Sequence, residues 1–142
     1  MLTIQTSVLQ VKETSAEALS SPQKINALCR DMAQMAQESF VVLTLDTKHK
    51  MIARHMVTLG LLDASLVHPR EVFRRAIEDG ASAIVIVHNH PSGDPKPSAE
   101  DLQITKRLID AGKIIDIRVL DHVIIGRPDF VSLRENGMIS FN

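Results

Sequence analysis

Apolar residues recur along this chain with two periods, and the alternation between them divides it into segments. From Pro22 the apolar positions Ile25, Leu28, Met32 and Met35 return at helical spacing behind Ser21-Pro22, a pair suited to an N-cap and first helical position. That pattern predicts a helix over 22–37. Phe40 to Leu45 and Met51 to Leu59 are β-prone, and the polar stretch Asp46-Thr47-Lys48-His49-Lys50 between them is short enough for a hairpin. Pro69 opens a second helix with Val72, Phe73, Ala76 and Ile77 on its apolar face, ending at Gly80. The run Ala83-Ile84-Val85-Ile86-Val87 has the composition of a central strand covered on both faces. A third helix follows over about 99–111, with Leu102, Leu108 and Ile109 inward and Gly112 at its stop. Strands are then expected at 114–120, 122–125 and 130–133. Residues 1–20, with apolar Leu2, Ile4 and Val8 among polar neighbours, read as an N-terminal edge strand and linker, leaving 21–142 as the domain. The order predicts an α/β fold, a mixed central β-sheet flanked by helices.

Composition narrows the function classes. The 142 residues fit one domain, and 44% hydrophobic with 23% charged content is that of a globular protein. The net charge of −1 offers no basic stripe for phosphates, and 3% aromatic residues offer little base-stacking surface, so nucleic acid is an unfavoured partner. The N-terminus shows no secretion signal, and no apolar run approaches the ~20 residues of a membrane helix. A single cysteine, Cys29, excludes an internal disulfide and reads as a small core residue. A cytoplasmic location is expected; nothing in the pattern assigns an oligomeric state.

Candidate chemistry begins where the central strand ends. His88-Asn89-His90 continues it, and the strand period of two points both imidazoles to one face, where they can share an ion. The turn from Pro91 to Pro97 can fold back and set the first turn of the next helix over the strand end, bringing Asp101 as a third ligand. A carboxylate near a helix N-terminus is held ionised by the dipole, as a ligand must be. Two nitrogens and one oxygen suit zinc, with the fourth position open to water. The competing reading of Ser98-Ala99-Glu100-Asp101 is a capping box, and Ser98 could both cap and present its hydroxyl to the site.

The whole stretch His88-Asn89-His90-Pro91-Ser92-Gly93-Asp94-Pro95-Lys96-Pro97-Ser98-Ala99-Glu100-Asp101 resembles the His-x-His-Pro-x6-Ser-x2-Asp signature of the JAMM (MPN+) metalloproteases. Its flanks, His68-Pro69-Arg70-Glu71-Val72, Leu120-Asp121-His122 and Val131-Ser132-Leu133-Arg134-Glu135, look like the bacterial RadC-like branch. The resemblance covers roughly residues 22–137. The helix-hairpin-helix region that precedes this domain in longer RadC-like proteins is not expected from this sequence, and Gly60-Leu61-Leu62-Asp63-Ala64-Ser65 departs from the small polar and Asn residues of the branch.

What the resemblance implies is a cytidine-deaminase-like (JAB/MPN) fold, one zinc per chain on His88, His90 and Asp101, and hydrolysis of peptide or isopeptide bonds in a peptide or protein substrate. It also implies a glutamate general base at the edge of the first core strand, which Glu38 matches, and Ser98 as oxyanion stabiliser. Glu71 is the rival base, although a place in the first turn of a helix already explains it. His122 reads either as a partner of the metal ligands or as a packed histidine; His49, His55 and His68 read as surface or cap residues. The alternative function is a DNA-repair or mobile-element accessory protein with a structural or nuclease metal site. A zinc deaminase is disfavoured, since His-x-Glu and Pro-Cys-x-x-Cys are both missing.

Overall fold

The computed structural model describes residues 17–60 and 67–142. Ser39–Leu45 (β1) and Met51–Leu59 (β2) form the expected antiparallel hairpin, and β1 also pairs antiparallel with Ala83–Asn89 (β3). Beyond β3 lie Arg118–Ile125 (β4), parallel to it, and the short Phe130–Ser132 (β5), antiparallel to β4. The order β2-β1-β3-β4-β5 puts the β-branched run of β3 in the middle of a five-stranded mixed sheet. Covered on both faces, it has every residue buried, so no polar alternation survives in its sequence.

Helices fill both faces. Pro69–Glu78 (α2) and Ala99–Ile115 (α3) pack Val72, Phe73, Ala76, Ile104 and Leu108 against Phe40, Val42, Ile84, Ile86 and Ile124. On the other face Pro22–Leu28 (α1) and a 3-10 turn at Arg30–Gln34 bring Ile25, Cys29 and Met32 against Val41, Leu43, Val85, Val87 and Val123. Leu133–Asn136 (α4) follows β5, and beyond it Ile139 and Phe141 pack into the α2/α3-side core. The Cys29 thiol, wholly buried, has its pKa pushed up to about 11 by that burial, as befits a core residue. Among the described residues no helix is long and apolar enough to cross a membrane.

Three expected elements differ. The helix over 22–37 stops at Leu28 and tightens into the 3-10 turn; the tighter pitch of three residues per turn stacks Cys29 and Met32 on one side, both fully buried on the sheet. The helix expected to stop at Gly112 instead runs to Ile115. Gly112 lies within it because the returning chain passes so close that a Cβ there would collide with the Ile117 carbonyl. The turn is made four residues later by Asp116, left-handed at φ 58°. Ile114 and Ile115, which read as the start of a strand, are therefore helical and exposed. Finally, the strands expected at 114–120 and 122–125 are one strand starting at Arg118, with a register shift against β3: Ile84 pairs with Val119, but Val85 pairs with Asp121. The extra residue, Leu120, breaks the alternation and imitates a gap between two strands. The edge strand and linker expected over 1–20 lies outside the described residues as far as 16; Ala18 makes an isolated antiparallel bridge to Lys50.

At the end of the sheet away from His88, Asp79 after α2 ties helix to hairpin: its Oδ2 accepts from the Thr44 hydroxyl at 2.6 Å and contacts His55 Nε2 at 2.7 Å. Burial raises the carboxyl's pKa, but the bonds from His55 and Thr44 and the nearby charges of His55 and Arg75 outweigh it, so the net shift is downward. A carboxylate with a depressed folded-state pKa contributes stability above its unfolded pKa of about 3.9 and loses it as pH falls through the folded value. The stability gap between wild type and Asp79→Asn is therefore expected to be full at neutral pH and to shrink as pH falls below about 4. Urea unfolding at a series of pH values measures it; a gap independent of pH would refute the assignment.

Candidate metal centre

The register of β1 against β3 builds the centre. Phe40 pairs with His88, so extending both strands by two residues sets Glu38 opposite His90, all four on the face that carries α2 and α3. His90 lies one residue past β3 but stays tied to the sheet by its N–H, which donates to the Ile125 carbonyl at 3.0 Å. The His88 and His90 rings are 4.8 Å apart between centroids. Ligand atoms of Glu38, His88 and His90 lie within 4.8 Å of one another, a group that could hold a metal ion.

Asp101 arrives from the first turn of α3. Its Oδ1 is 3.2 Å from His88 Nε2 and its Oδ2 is 3.1 Å from His90 Nε2, so one carboxylate faces both rings. The capping box is formed as well: Ser98 Oγ accepts from the Asp101 N–H at 3.1 Å, and Asp101 Oδ2 accepts from the Ser98 N–H at 2.8 Å. The two readings of Ser98-x-x-Asp101 thus coexist. Burial works to raise the Asp101 pKa, but the facing imidazoles, whenever they carry a proton toward it, and the Ser98 N–H hold it well below the usual carboxylate range. Glu38 stands 3.9 Å from His88 Nε2 and is partly exposed, unlike the fully buried His88. Glu38, His90, Pro91, Ser92, Ser98, Glu100 and Asp101 line an open cleft of about 400 Å³.

The donors suit a cation. His90 Nδ1 is 2.8 Å from the Asp94 carbonyl, which only accepts, so Nδ1 carries the proton and a neutral His90 turns a bare Nε2 toward Asp101. His88 Nε2 is buried and makes no hydrogen bond among the described residues. Lone pairs of imidazole facing carboxylate oxygens at about 3 Å repel unless a proton or metal ion lies between them. Without metal, burial lowers the His90 pKa, but the bond to Asp101, the Asp94 carbonyl and the charges of Asp101 and Glu38 raise it overall. A metal ion that displaces this proton satisfies the same electrostatic demand.

Glu71, the rival base, is elsewhere: it sits in the first turn of α2 and pairs with Arg74 at 3.2 Å. Other residues that shape the centre went unassigned in the sequence. Asn89, between the two histidines and pointing to the opposite face, accepts from the Ser39 N–H at 2.7 Å and donates to the Gln37 carbonyl at 3.0 Å. It pins the backbone on both sides of Glu38. Arg127 braces the turn after His90, its N–H donating to the Gly93 carbonyl at 2.8 Å and its guanidinium to the Pro91 carbonyl at 2.9 Å. Gly126 is needed at that contact, where a Cβ would strike the Gly93 carbonyl. The one sequence signal for Asn89 was its place inside His-x-His, where the strand alternation points it away from the face of the two histidines.

Comparison with known proteins gives the family. A family model described as the RadC-like JAB domain matches residues 19–138. The chain is 51% identical over 125 residues to a UPF0758 protein of Caldanaerobacter subterraneus subsp. tengcongensis, covering 87% of this chain and 54% of that one. It is 54% identical over 114 residues to a UPF0758 protein of Alkaliphilus oremlandii, covering 80% and 49%. Against one from Geobacillus kaustophilus the identity is 53% over 109 residues, covering 77% and 48%. The chain spans about half the length of the curated relatives it matches.

The clamp around Glu38 makes a stability prediction. Asn89→Ala strips the buried Ser39 N–H of its acceptor, as well as taking a donor from the carbonyl of the exposed Gln37, at an expected cost of about 1–3 kcal/mol in urea unfolding. An unchanged midpoint would show that the clamp carries no weight.

Proposed function

The chain belongs to the RadC-like JAB domain family, and on that premise we propose that it is a zinc-dependent hydrolase of peptide or isopeptide bonds, with the metal on His88, His90 and Asp101. The observation that carries this reading is the convergence of two imidazole Nε2 atoms on the two oxygens of one buried carboxylate, at 3.2 and 3.1 Å, beside an open cleft. Three protein ligands with room for a fourth are the catalytic rather than the closed arrangement. Zinc there supplies Lewis acidity, lowering the pKa of water toward about 7.

The chain's own residues divide the remaining work. Glu38 is the general base: partly exposed in the cleft and held from both flanks by Asn89, it takes a proton from the attacking water and delivers it to the leaving nitrogen. Ser98 spends an acceptor lone pair on the Asp101 N–H, which leaves its own O–H to donate to the oxyanion that develops on the scissile carbonyl. Asp101 both ligates and orders the helix start that carries Ser98. The pinned backbone around Glu38 limits reorganisation during the step.

Purified protein is expected to hold one zinc per chain by elemental analysis, and Asp101→Asn to lose it. Glu38→Gln is expected to keep the metal while hydrolysis falls by about 10²–10⁴-fold, read as new peptide termini after incubation with a cell lysate. Metal-free wild type that takes up no zinc, or a fully active Glu38→Gln, would overturn the proposal.

A further inference from the structure

Behind His88 a chain of hydrogen bonds runs back to the helix that carries Asp101, and its proton directions are forced. Thr105, one turn after Asp101 on α3, donates its hydroxyl to the Asp101 carbonyl at 2.6 Å, an acceptor with no proton to give. The hydroxyl proton is thereby committed, and only lone pairs of Thr105 Oγ1 remain for His122 Nδ1 at 2.6 Å. His122 Nδ1 must therefore carry the proton of a neutral ring, and its Nε2 is bare. That bare nitrogen lies 2.8 Å from His88 Nδ1, which must donate to it. His88 is left with its proton on Nδ1 and a lone pair on Nε2, the buried atom that has no hydrogen bond and faces Asp101 Oδ1.

All members of this chain are sequestered. His88, Thr105 and His122 are each 0% exposed, so water does not compete for their protons. Phe40 closes the group, stacked on His88 at 6.1 Å and edge-on to His122 at 5.9 Å. His122 reaches this face only because of the extra residue in β4. Regular alternation from Val119 through Leu120 would send His122 to the α1 face; because the bulge takes up Leu120, His122 pairs with Ile86 and lies beside His88.

We propose that His122 and Thr105 are positioning residues that lock His88 in the tautomer with a free Nε2, so that a divalent metal meets a ligand already deprotonated and aimed. The direction is set by the backbone carbonyl of Asp101, whose side chain faces the same Nε2, so one residue orients two members of the site. Metal-bound histidines are commonly oriented by a carboxylate. Here a neutral ring does this beside Asp101 and Glu38, without adding a third negative charge to the cleft. The role in metal capture rests on the zinc reading above; the tautomer does not.

Long-range proton–nitrogen NMR on ¹⁵N-labelled, metal-free protein, above the ordinary histidine range, reads the tautomer directly. His88 is expected to show a protonated Nδ1 and a bare Nε2, and to lose that preference in Thr105→Val and His122→Phe. Zinc alone, titrated against a chromophoric chelator, is expected to bind these variants about 10- to 100-fold more weakly. Thr105→Ser, which keeps the hydroxyl, and His122→Gln, which keeps an acceptor for His88, are expected to recover most of the affinity. A wild-type His88 protonated on Nε2 would overturn the inference, as would folded Thr105→Val and His122→Phe proteins that bind zinc like wild type. If no protein binds zinc, the metal reading fails and the wild-type tautomer still decides the lock.

Discussion

The antiparallel register of β1 against β3, with Phe40 opposite His88, is the constraint on which the rest of this molecule depends. It places Glu38, His88 and His90 on one face and Asn89 and Ser39 on the other, so that the strand carrying the histidines also supplies the clamp for the glutamate. A slip of one residue would send Glu38 through the sheet and break the Asn89 bonds together. Burial of β1 and β3 along their whole length makes such a slip costly, because every apolar side chain of the slipped strand would exchange cores. The precision of the centre is thus borrowed from the core.

The second requirement is electrostatic. Two carboxylates and two imidazoles share a partly enclosed volume, and the hydrogen bonds behind the imidazoles aim their bare nitrogens inward. Such a cluster tolerates a proton but is better matched by a divalent ion, since one ion satisfies several facing lone pairs at once. The depressed Asp101 pKa and the raised His90 pKa are two views of that demand, a site strained toward positive charge. Braces from Arg127 on the Pro91–Gly93 turn keep it from relaxing by moving His90 away.

Much of this was legible in the residues. The central strand, the shared face of the two histidines and the return of Asp101 on the next helix follow from a period of two, a Pro- and Gly-rich turn and an N-capping serine. Glu38 was reachable only through family resemblance, because its place depends on a pairing between strands some 40 residues apart that no local pattern encodes. The break at Leu120 concealed a continuous β4 for the same reason: a bulge exists only relative to its partner strand. Gly112, read as a stop signal, proved to mark a close approach of Ile117, and glycine serves both purposes with the same letter.

Asp101 shows why a capping role and the proposed ligating role need not compete. A capping box uses one lone pair of one carboxylate oxygen, and here Oδ2 takes the Ser98 N–H and also faces His90 while Oδ1 is directed at His88. Because the residue sits at the third position of the helix, its main-chain carbonyl points one turn onward, where Thr105 receives it as an acceptor. The helix start therefore fixes the carboxylate on one side of His88 and, through Thr105 and His122, the proton on the other. A lone Ser-x-x-Asp motif specifies a helix terminus; placed four residues before a threonine and across from a bulged strand that carries a histidine, it also specifies which nitrogen of His88 is bare.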